Sequence, residues 1–386
     1  MMDTGKTRPC DFIDYQNINR RSFLGRASLL GIGGLVSSFK YPGTVSDDEK
    51  FVLEARYYEK LPHKKIRCKL CPRNCEVDDR ERGYCGVREN RDGTYYTLVY
   101  ARPCTYHADP IEKKPLFHFL PGSQAFSIAT AGCNVNCKFC QNWQISQVRP
   151  EQIRGIYMPP EKTARLAGDY QCRTIAYTYS EPVIFYEYME DCIKAGHTNN
   201  LKSVMITGGY IEQEPLINLC KTIDGIKVDL KSFSEKYYKE VVNGELKPVL
   251  DALVTMKKMG VWTEIVYLMV PTLNDSEREL VDLCRWIKNA LGPEVPIHFT
   301  RFHPEYLLKN LPSTPLQTLE RAKAIGDAEG LRYVYIGNVP GHKAENTYCH
   351  HCGKLLIDRI GYTIRTYHID KGECSFCHTT IPGVWE

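Results

Sequence analysis

The stretch Ala125-Phe126-Ser127-Ile128-Ala129 is a short apolar run, and the cysteine-bearing loop Gly132-Cys133-Asn134-Val135-Asn136-Cys137-Lys138-Phe139-Cys140 follows it closely. Six more apolar runs lie downstream, at residues 174–179, 203–207, 225–230, 262–269, 296–300 and 333–336. Helix-like stretches separate them, for example at residues 182–195, 247–259, 275–291 and 315–329. This alternation is typical of a parallel sheet covered by helices. Six or seven such units over residues 120–340 predict an α/β fold, a partial (β/α)6 TIM-like barrel.

The loop after the first run has the spacing of a metal site. Cys133, Cys137 and Cys140 can surround three irons of a cubane, and no fourth cysteine lies close by in sequence. The fourth iron therefore keeps an open position, as catalytic metals do. Such an iron can chelate an amino and a carboxylate group, and an electron passed through it can cleave a sulfonium. The alternative is a zinc loop with a distant fourth ligand, but a position after a barrel strand favours an active site.

The overall composition narrows the class of protein. The chain has 386 residues, of which 43% are hydrophobic and 25% charged, and its formal net charge is +4. These values are ordinary for a globular protein. No run of five or six basic residues occurs, so we expect no specific nucleic-acid partner. We also expect no membrane span.

The chain has 17 cysteines, and most of them are clustered. Tightly spaced thiols suit a metal better than a disulfide scaffold. The six isolated cysteines are predicted to be mostly small buried hydrophobes: Cys10, Cys104, Cys172, Cys192, Cys220 and Cys284.

Two cysteine-rich segments flank the barrel region, at residues 60–110 and 345–386. The C-terminal segment has two C-x2-C pairs, Cys349 with Cys352 and Cys374 with Cys377, and this spacing predicts a zinc ribbon. An auxiliary iron–sulfur cluster is the alternative there. Three histidines are reserve ligands: His350, His351 and His378. For the four N-terminal thiols, zinc and a second cluster both fit: Cys68, Cys71, Cys75 and Cys85.

Residues 1–50 are predicted to be a leader and linker. Arg20-Arg21-Ser22-Phe23-Leu24 precedes a short, Gly-rich apolar stretch, which resembles a twin-arginine export signal. The stretch is too short for a membrane-spanning helix. This predicts export or association with the membrane face; the alternative is an ordinary tail on a cytoplasmic protein.

Taken together, the motifs resemble the radical S-adenosylmethionine (SAM) family. Over residues 60–386 the chain is similar to radical SAM proteins of the AmmeMemoRadiSam system, which are related to pyruvate formate-lyase activating enzyme. Besides the cluster loop, with Phe139 at its aromatic position, the matching stretches are residues 70–75, 83–88, 177–182, 227–231, 271–275, 298–304 and 336–339. The resemblance implies an oxidoreductase with a radical SAM barrel, which cleaves SAM at a [4Fe–4S] cluster to give a 5′-deoxyadenosyl radical.

The resemblance also implies residue roles. Cys133, Cys137 and Cys140 would hold the catalytic cluster. Ser180-Glu181 stands where the family has a Gly-Gly-Glu strand end that holds the SAM ammonium. Asp229, Lys231 and Glu264 would line the SAM ribose and carboxylate or a bound cation; a buried ion pair that braces the barrel is the alternative. His303 would contact SAM, or else be structural.

We expect the radical to act on a protein substrate, with a flavodoxin or ferredoxin as electron donor. A small metabolite or RNA is the alternative substrate. A second hypothesis, from another class, is a non-catalytic zinc-rich binding module.

Overall fold

The protein was analysed as a computed structural model, which describes residues 47–386. These residues form one compact unit. The twin-arginine-like motif and Cys10 lie outside the described residues, so export stays a prediction. Within the described part of the chain, no helix is both long and apolar enough to cross a membrane.

The centre of the unit is an eight-stranded sheet in the order β14-β13-β12-β11-β10-β9-β8-β7. Strands β8 to β14 are parallel to one another, and β7 pairs antiparallel with β8. The strands are β7 (Thr105–Pro110), β8 (Gln124–Ala129), β9 (Thr174–Tyr177), β10 (Lys202–Thr207), β11 (Gly225–Asp229), β12 (Trp262–Met269), β13 (Ile297–Arg301) and β14 (Val334–Gly337). Because β7 and β14 are the two edges, the barrel is open on one side.

Helices connect the parallel strands and cover the outside of the sheet. They are α1 (Trp143–Ser146), α2 (Pro160–Asp169), α3 (Tyr186–Thr198), α4 (Gln213–Cys220), α5 (Glu235–Tyr237), α6 (Leu246–Lys258), α7 (Glu277–Ala290) and α8 (Leu316–Ala328). A short 3-10 helix, Pro182–Phe185, leads into α3. The predicted partial (β/α)6 barrel is confirmed: six strand–helix units are followed by a seventh parallel strand.

Helix α7 shows how the sequence specifies a helix that packs on the sheet. The side chain of Ser276 accepts a hydrogen bond from the amide of Glu279, which caps the first turn. The buried residues then recur at helical spacing, so that one apolar face packs on the sheet. They are Leu280, Leu283, Cys284 and Ile287.

The segment between β7 and β8 crosses the amino-terminal end of the barrel. The amides of Phe117 and His118 donate to the Glu264 carboxylate at 3.0 and 2.8 Å, and His298 Nε2 lies 2.8 Å from the same group. Glu264 is fully buried. It braces this end of the barrel and does not line the cavity described below, so its expected contact with SAM stays a prediction.

Short strands build the N-terminal module, residues 53–97: β1 (Leu53–Glu54), β2 (Tyr58–Lys60), β3 (Ile66–Cys68), β4 (Glu76–Val77), β5 (Arg88–Arg91) and β6 (Thr94–Thr97). A buried ion pair joins this module to the barrel, because the Arg88 guanidinium donates to both carboxylate oxygens of Glu187 on α3. Such a pair fixes orientation through its bidentate geometry.

The C-terminal segment is built from β15 (Thr347–Tyr348), β16 (Leu355–Ile360), β17 (Thr363–Tyr367), β18 (Ile369–Asp370) and β19 (Glu373–Cys374). The buried Arg359 donates to the carbonyl of Phe117 at 2.8 Å, and the amide of Leu120 donates to the carbonyl of Val384 at 2.7 Å. The segment therefore packs on the connection between the two strands β7 and β8, beside the open edge of the sheet.

Strand β7 is the one part of the central sheet that the sequence did not predict. It lies at the end of the predicted N-terminal segment, residues 60–110, but belongs to the barrel. Its residues are mostly polar or partly exposed and it ends in Pro110. Both features are typical of an edge strand, and they hide the alternation by which buried strands are recognised.

Candidate active site

A cavity of about 510 Å³ opens at the carboxyl ends of the parallel strands. This is the end of a (β/α) barrel where active sites lie. All but two of the predicted catalytic and SAM-contacting residues line it: Cys133, Cys137, Phe139, Cys140, Ser180, Glu181, Asp229 and Lys231. The fold thus brings together residues that are almost 100 positions apart.

The two exceptions are Glu264, described above, and His303. His303 follows β13 but is exposed, and its Nδ1 lies 3.2 Å from the hydroxyl of Ser313. It is absent from the cavity lining. The predicted contact of His303 with SAM stays a prediction, and in the structure its ring pairs with Ser313.

The cluster loop is fixed by its backbone. The amides of Asn136 and Lys138 donate to the carbonyls of Val242 and Val241 at 3.1 and 2.9 Å. The Cys140 amide donates to the Cys137 carbonyl at 3.1 Å and makes a tight turn. The loop is therefore rigidly attached to the chain that follows β11, and its three thiols are directed into the cavity.

The thiols lie in a water-poor setting. Burial raises the pKa of Cys137 to about 12, although the Lys231 ammonium opposes the rise. Burial also raises the pKa of Cys133 well above its usual value, and the nearby Glu181 carboxylate adds to that rise. Such thiols become ligands only when a metal displaces their protons. An iron–sulfur cluster is held by cysteine thiolates of this kind, so the three buried thiols fit such a cluster.

Glu181 is a buried carboxylate with a complete set of donors. Its Oε1 accepts from the Thr207 hydroxyl at 2.5 Å and from the Val183 amide at 3.2 Å, and its Oε2 accepts from the Gly208 amide at 2.8 Å. Burial raises its pKa, while these donors and Lys231 oppose the rise. A Cβ on Gly208 would lie 3.3 Å from Oε2, so a glycine permits this close approach.

The side chain of Ser180, next to Glu181, indicates whether a polar ligand fits this part of the cavity. Its side chain is 8% exposed, and its hydroxyl has no hydrogen-bond partner among the described residues. Buried hydroxyls are normally paired. An unpaired hydroxyl beside a carboxylate in a cavity fits a ligand with both donor and acceptor groups, as SAM has.

A charged triad ends β11. Asp229 pairs with Lys227 and, at 3.1 Å, with Lys231. Burial alone would raise the pKa of Asp229, but the two ammonium groups outweigh it and hold the value at about 2. Lys231 Nζ also lies 5.9 Å from the centre of the Phe139 ring. The triad is thus a buried ion network with one surplus positive charge, directly beside the cluster loop. The triad therefore has features of both alternatives for Asp229 and Lys231: it is an ion pair that braces the barrel, and its side chains line the cavity.

A second charged group in the cavity was not predicted. Lys114 Nζ lies 2.6 Å from Asp109 and 4.7 Å from the centre of the Tyr179 ring. Burial lowers the pKa of Lys114 to about 8, although Asp109 opposes the shift. Tyr179 has φ of 65°, a strained value for such a residue, and its carbonyl accepts from Asn142 at 2.9 Å. The motif at residues 177–182 was the only signal for Tyr179, and Lys114 had none.

The four C-terminal thiols form a separate group. Cys349 and Cys377 have their sulfurs 3.7 Å apart, those of Cys352 and Cys374 are 3.8 Å apart, and all four lie within 4.8 Å of one another. No histidine of the described chain joins this group. Both C-x2-C pairs are followed by a residue with positive φ, Gly353 at 70° or His378 at 58°. A site with four thiolates on two tight turns is therefore preformed.

Comparison with known proteins agrees with this geometry. A family profile described as the radical SAM superfamily matches residues 127–284, which include the cluster loop, Glu181 and Lys231. "Uncharacterized protein MJ0808" of Methanocaldococcus jannaschii is 45% identical over 330 residues, which cover 85% of this chain and 98% of the relative. The chain belongs to the radical SAM superfamily, whose members cleave SAM at a [4Fe–4S] cluster.

More distant relatives are activating enzymes. The pyruvate formate-lyase-activating enzyme of Clostridium pasteurianum is 21% identical over 197 residues, 47% of this chain and 80% of the relative. Among solved structures, a radical SAM methyltransferase from Sphaerobacter thermophilus is similar with a TM-score of 0.45 at 16% identity, covering 61% of this chain and 71% of that one.

Replacement of Cys133, Cys137 and Cys140 together by Ala should remove about four irons per chain, the content of one cubane. The isolated, buried Cys172 is the matched control, and Cys172→Ala should leave the iron content unchanged. Iron and acid-labile sulfide are measured after anaerobic reconstitution. An unchanged iron content in the triple variant would contradict the assignment of the cluster loop.

Proposed function

We propose that this enzyme uses SAM to form a 5′-deoxyadenosyl radical and directs it at a protein substrate. The observation that carries the proposal is the cavity itself, where three thiols, an unpaired hydroxyl and a buried carboxylate meet at the carboxyl ends of the strands. Cys133, Cys137 and Cys140 would hold a [4Fe–4S] cluster, which would pass one electron from an external reductant such as a flavodoxin or ferredoxin to SAM and so supply the cleavage to methionine and a 5′-deoxyadenosyl radical. Transfer of a hydrogen atom from the substrate to that radical would give 5′-deoxyadenosine.

The residues of the cavity bind and orient SAM in this proposal. Glu181 accepts from the SAM ammonium, and the three donors that fix its carboxylate favour the ionised form. Ser180 supplies a further hydroxyl beside it. Lys231 offers the surplus positive charge of the triad to a carboxylate or a hydroxyl of the ligand. Phe139 excludes water from the thiols, since its side chain is only 5% exposed.

A protein substrate is favoured by two relatives named as activating enzymes of other enzymes. They are the pyruvate formate-lyase-activating enzyme of Clostridium pasteurianum and the 4-hydroxyphenylacetate decarboxylase activating enzyme of Clostridium scatologenes. The shape of the cavity supports the same proposal. Its wall is completed by the C-terminal segment through Glu345, Gly361 and Tyr362, of which Tyr362 is 51% exposed. The wall thus extends to the surface of a separate segment and offers a peptide contacts beyond the barrel.

Glu181→Gln should weaken SAM binding about tenfold or more, since it removes a charge-assisted hydrogen bond worth roughly 1.5–3 kcal/mol. The cluster spectrum should be unchanged, because Glu181 is not a ligand. Glu212→Gln is the matched control: Glu212 accepts from Asn74 at 2.9 Å and does not line the cavity. SAM affinity is measured by equilibrium binding under anaerobic conditions. Equal affinity in the wild type and Glu181→Gln would reject the role.

Without its partner, the reduced enzyme should form 5′-deoxyadenosine from SAM only slowly, because the radical has no hydrogen donor in place. Addition of the protein substrate should accelerate the reaction and leave that protein modified. The measurement combines quantification of 5′-deoxyadenosine with mass spectrometry of candidate proteins. Rapid turnover with a purified small metabolite, with hydrogen taken from that metabolite, would contradict the substrate class.

We further propose that the C-terminal thiols bind zinc. Four ligands around one tetrahedral ion at a Zn–S distance of about 2.3 Å have sulfurs roughly 3.8 Å apart, which matches the spacing of both close pairs. The segment has few buried apolar residues of its own, and most of those pack on Phe117, Tyr333 and Tyr335. Zinc therefore stabilises a segment that a small core supports only weakly.

Cys352→Ser with Cys377→Ser should lower the zinc content by about one ion per chain and make residues 345–386 more sensitive to protease. The reason is that two of four ligands are lost and the segment unfolds locally. Cys220→Ser, an isolated cysteine on α4, is the control and should change neither quantity. Zinc is measured by elemental analysis, and unchanged zinc in the double variant would refute the site.

A further inference from the structure

One histidine of the cavity lining has no role in the proposal above. His298 lies within β13, is fully buried and lines the cavity, whereas its partner Glu264 does not. The ring of Tyr335 stacks on the His298 ring at a centroid distance of 4.9 Å, and Phe117 contacts it edge to face at 4.7 Å. The imidazole is therefore held in one orientation at the floor of the cavity, between the cavity and the brace at the amino-terminal end of the barrel.

The hydrogen bonds of Glu264 determine the tautomer of this ring. Its Oε1 accepts from the His118 amide at 2.8 Å and from Trp262 Nε1 at 3.1 Å, and its Oε2 accepts from the Phe117 amide at 3.0 Å. Burial alone would raise the pKa of Glu264, but His298 and these partners outweigh it and lower the pKa. An ionised carboxylate can only accept, so His298 Nε2, 2.8 Å from Oε2, carries a proton and donates.

The other ring nitrogen of His298 is left as an acceptor. Burial lowers the pKa of His298, although Glu264 opposes the shift, so the neutral ring is favoured and Nδ1 keeps its lone pair. Nδ1 has no hydrogen-bond partner among the described residues. Because buried polar atoms are normally paired, this nitrogen points to a ligand that brings a donor to the floor of the cavity.

A second unpaired polar atom belongs to the same lining. Glu112 is 1% exposed, and its Oε1 accepts from the Gly122 amide at 2.8 Å, but its Oε2 has no partner in the described chain. Burial raises the pKa of Glu112, while the Gly122 amide and the Arg359 guanidinium oppose the rise. Glu112 lies in the segment between β7 and β8 that crosses the amino-terminal end of the barrel, as Phe117 does. The floor therefore offers acceptors from two separate elements.

The position of His298 favours the substrate over SAM as the source of the donor. The thiols, Glu181 and Lys231 lie on the loops that follow β8, β9 and β11. The part of the lining that contains His298 comes from β12, β13 and β14, and β14 is an edge of the open barrel. The C-terminal segment, whose Tyr362 extends the wall to the surface, lines the same cavity.

We propose that His298 is a substrate-binding residue whose Nδ1 accepts a hydrogen bond from an N–H or O–H group of the substrate, with Glu112 Oε2 as a second acceptor. Glu264 is a positioning residue, because it fixes the tautomer and does not reach the cavity. The floor therefore selects a group such as a carboxamide over a carboxylate, which has no hydrogen to donate. This inference rests on the proposed function, since it assigns His298 to the substrate of that reaction.

The test uses two probes of the same shape, propionamide and propionate, on unreduced protein that contains its cluster, is labelled with ¹⁵N in histidine and is saturated with SAM. Propionamide should shift the Nδ1 resonance of His298, and propionate should not. His298→Asn assigns that resonance. His197, whose Nε2 lies 2.8 Å from Asp224 outside the cavity, is the internal control and should not respond. Addition of SAM alone should also leave the His298 resonance unchanged.

Two outcomes of this titration would overturn the proposal. A shift of the Nδ1 resonance on addition of SAM alone would place a donor of SAM, and not of the substrate, at the floor. The absence of any shift with propionamide would show that the floor binds no such group.

Glu112→Gln gives a second measurement that leaves the His298 ring intact. Gln keeps an oxygen for the Gly122 amide and so presents its NH2 group in place of Oε2. Because this group donates, the preference for propionamide over propionate, measured as the ratio of their Kd values, should fall by about threefold or more. Glu212→Gln, outside the cavity, should leave the ratio unchanged. An unchanged ratio in Glu112→Gln would contradict the proposal. Failure of the proposed function would appear separately, as protein that binds propionamide but does not cleave SAM when reduced.

Discussion

A buried carboxylate at the end of β9 is the constraint on which the rest of the site depends. Glu181 is 5% exposed, and a charge in that position is costly unless donors surround it. The donors come from Thr207 and Gly208 at the end of β10 and from Val183 at the start of the helix that leads into α3. Two neighbouring strands and the helix between them must therefore be in register before the charge is stabilised. The same carboxylate faces Cys133, so barrel assembly and cluster position are linked.

Much of the fold could be predicted from the sequence because buried parallel strands are nearly continuous apolar runs. The runs at 174–179 and 262–269 contain the strands Thr174–Tyr177 and Trp262–Met269, with differences of at most two residues at their ends. The cluster loop was also predictable, since three cysteines in a short stretch leave few chemical alternatives. The sequence pattern is sufficient to predict a strand or a metal-binding loop when all of the residues that specify it lie in one short stretch.

The residues that escaped prediction are those whose role depends on long-range packing. Lys114 precedes β8 in an irregular segment, and only the fold of that segment beside Tyr179 places its ammonium in the cavity. Conversely, His303 follows a strand as Glu181 does, yet its side chain is exposed and pairs with Ser313. Position after a strand gives a residue access to the active-site end of the barrel. Whether the side chain enters depends on the next few backbone angles, which the sequence pattern does not specify.

The cysteine sets of the described chain differ in what surrounds their sulfurs. Around the C-terminal site the sulfurs of Cys352 and Cys374 are 3.8 Å apart, close enough for a single ion. Around the cluster loop the three thiols line a cavity that the charged side chains of Glu181 and Lys231 also line. Burial raises the pKa of Cys137, as it does that of Cys68 in the N-terminal module, so these thiols are protonated without metal. A metal that binds such thiols must displace their protons, so binding at the cluster loop is coupled to proton release.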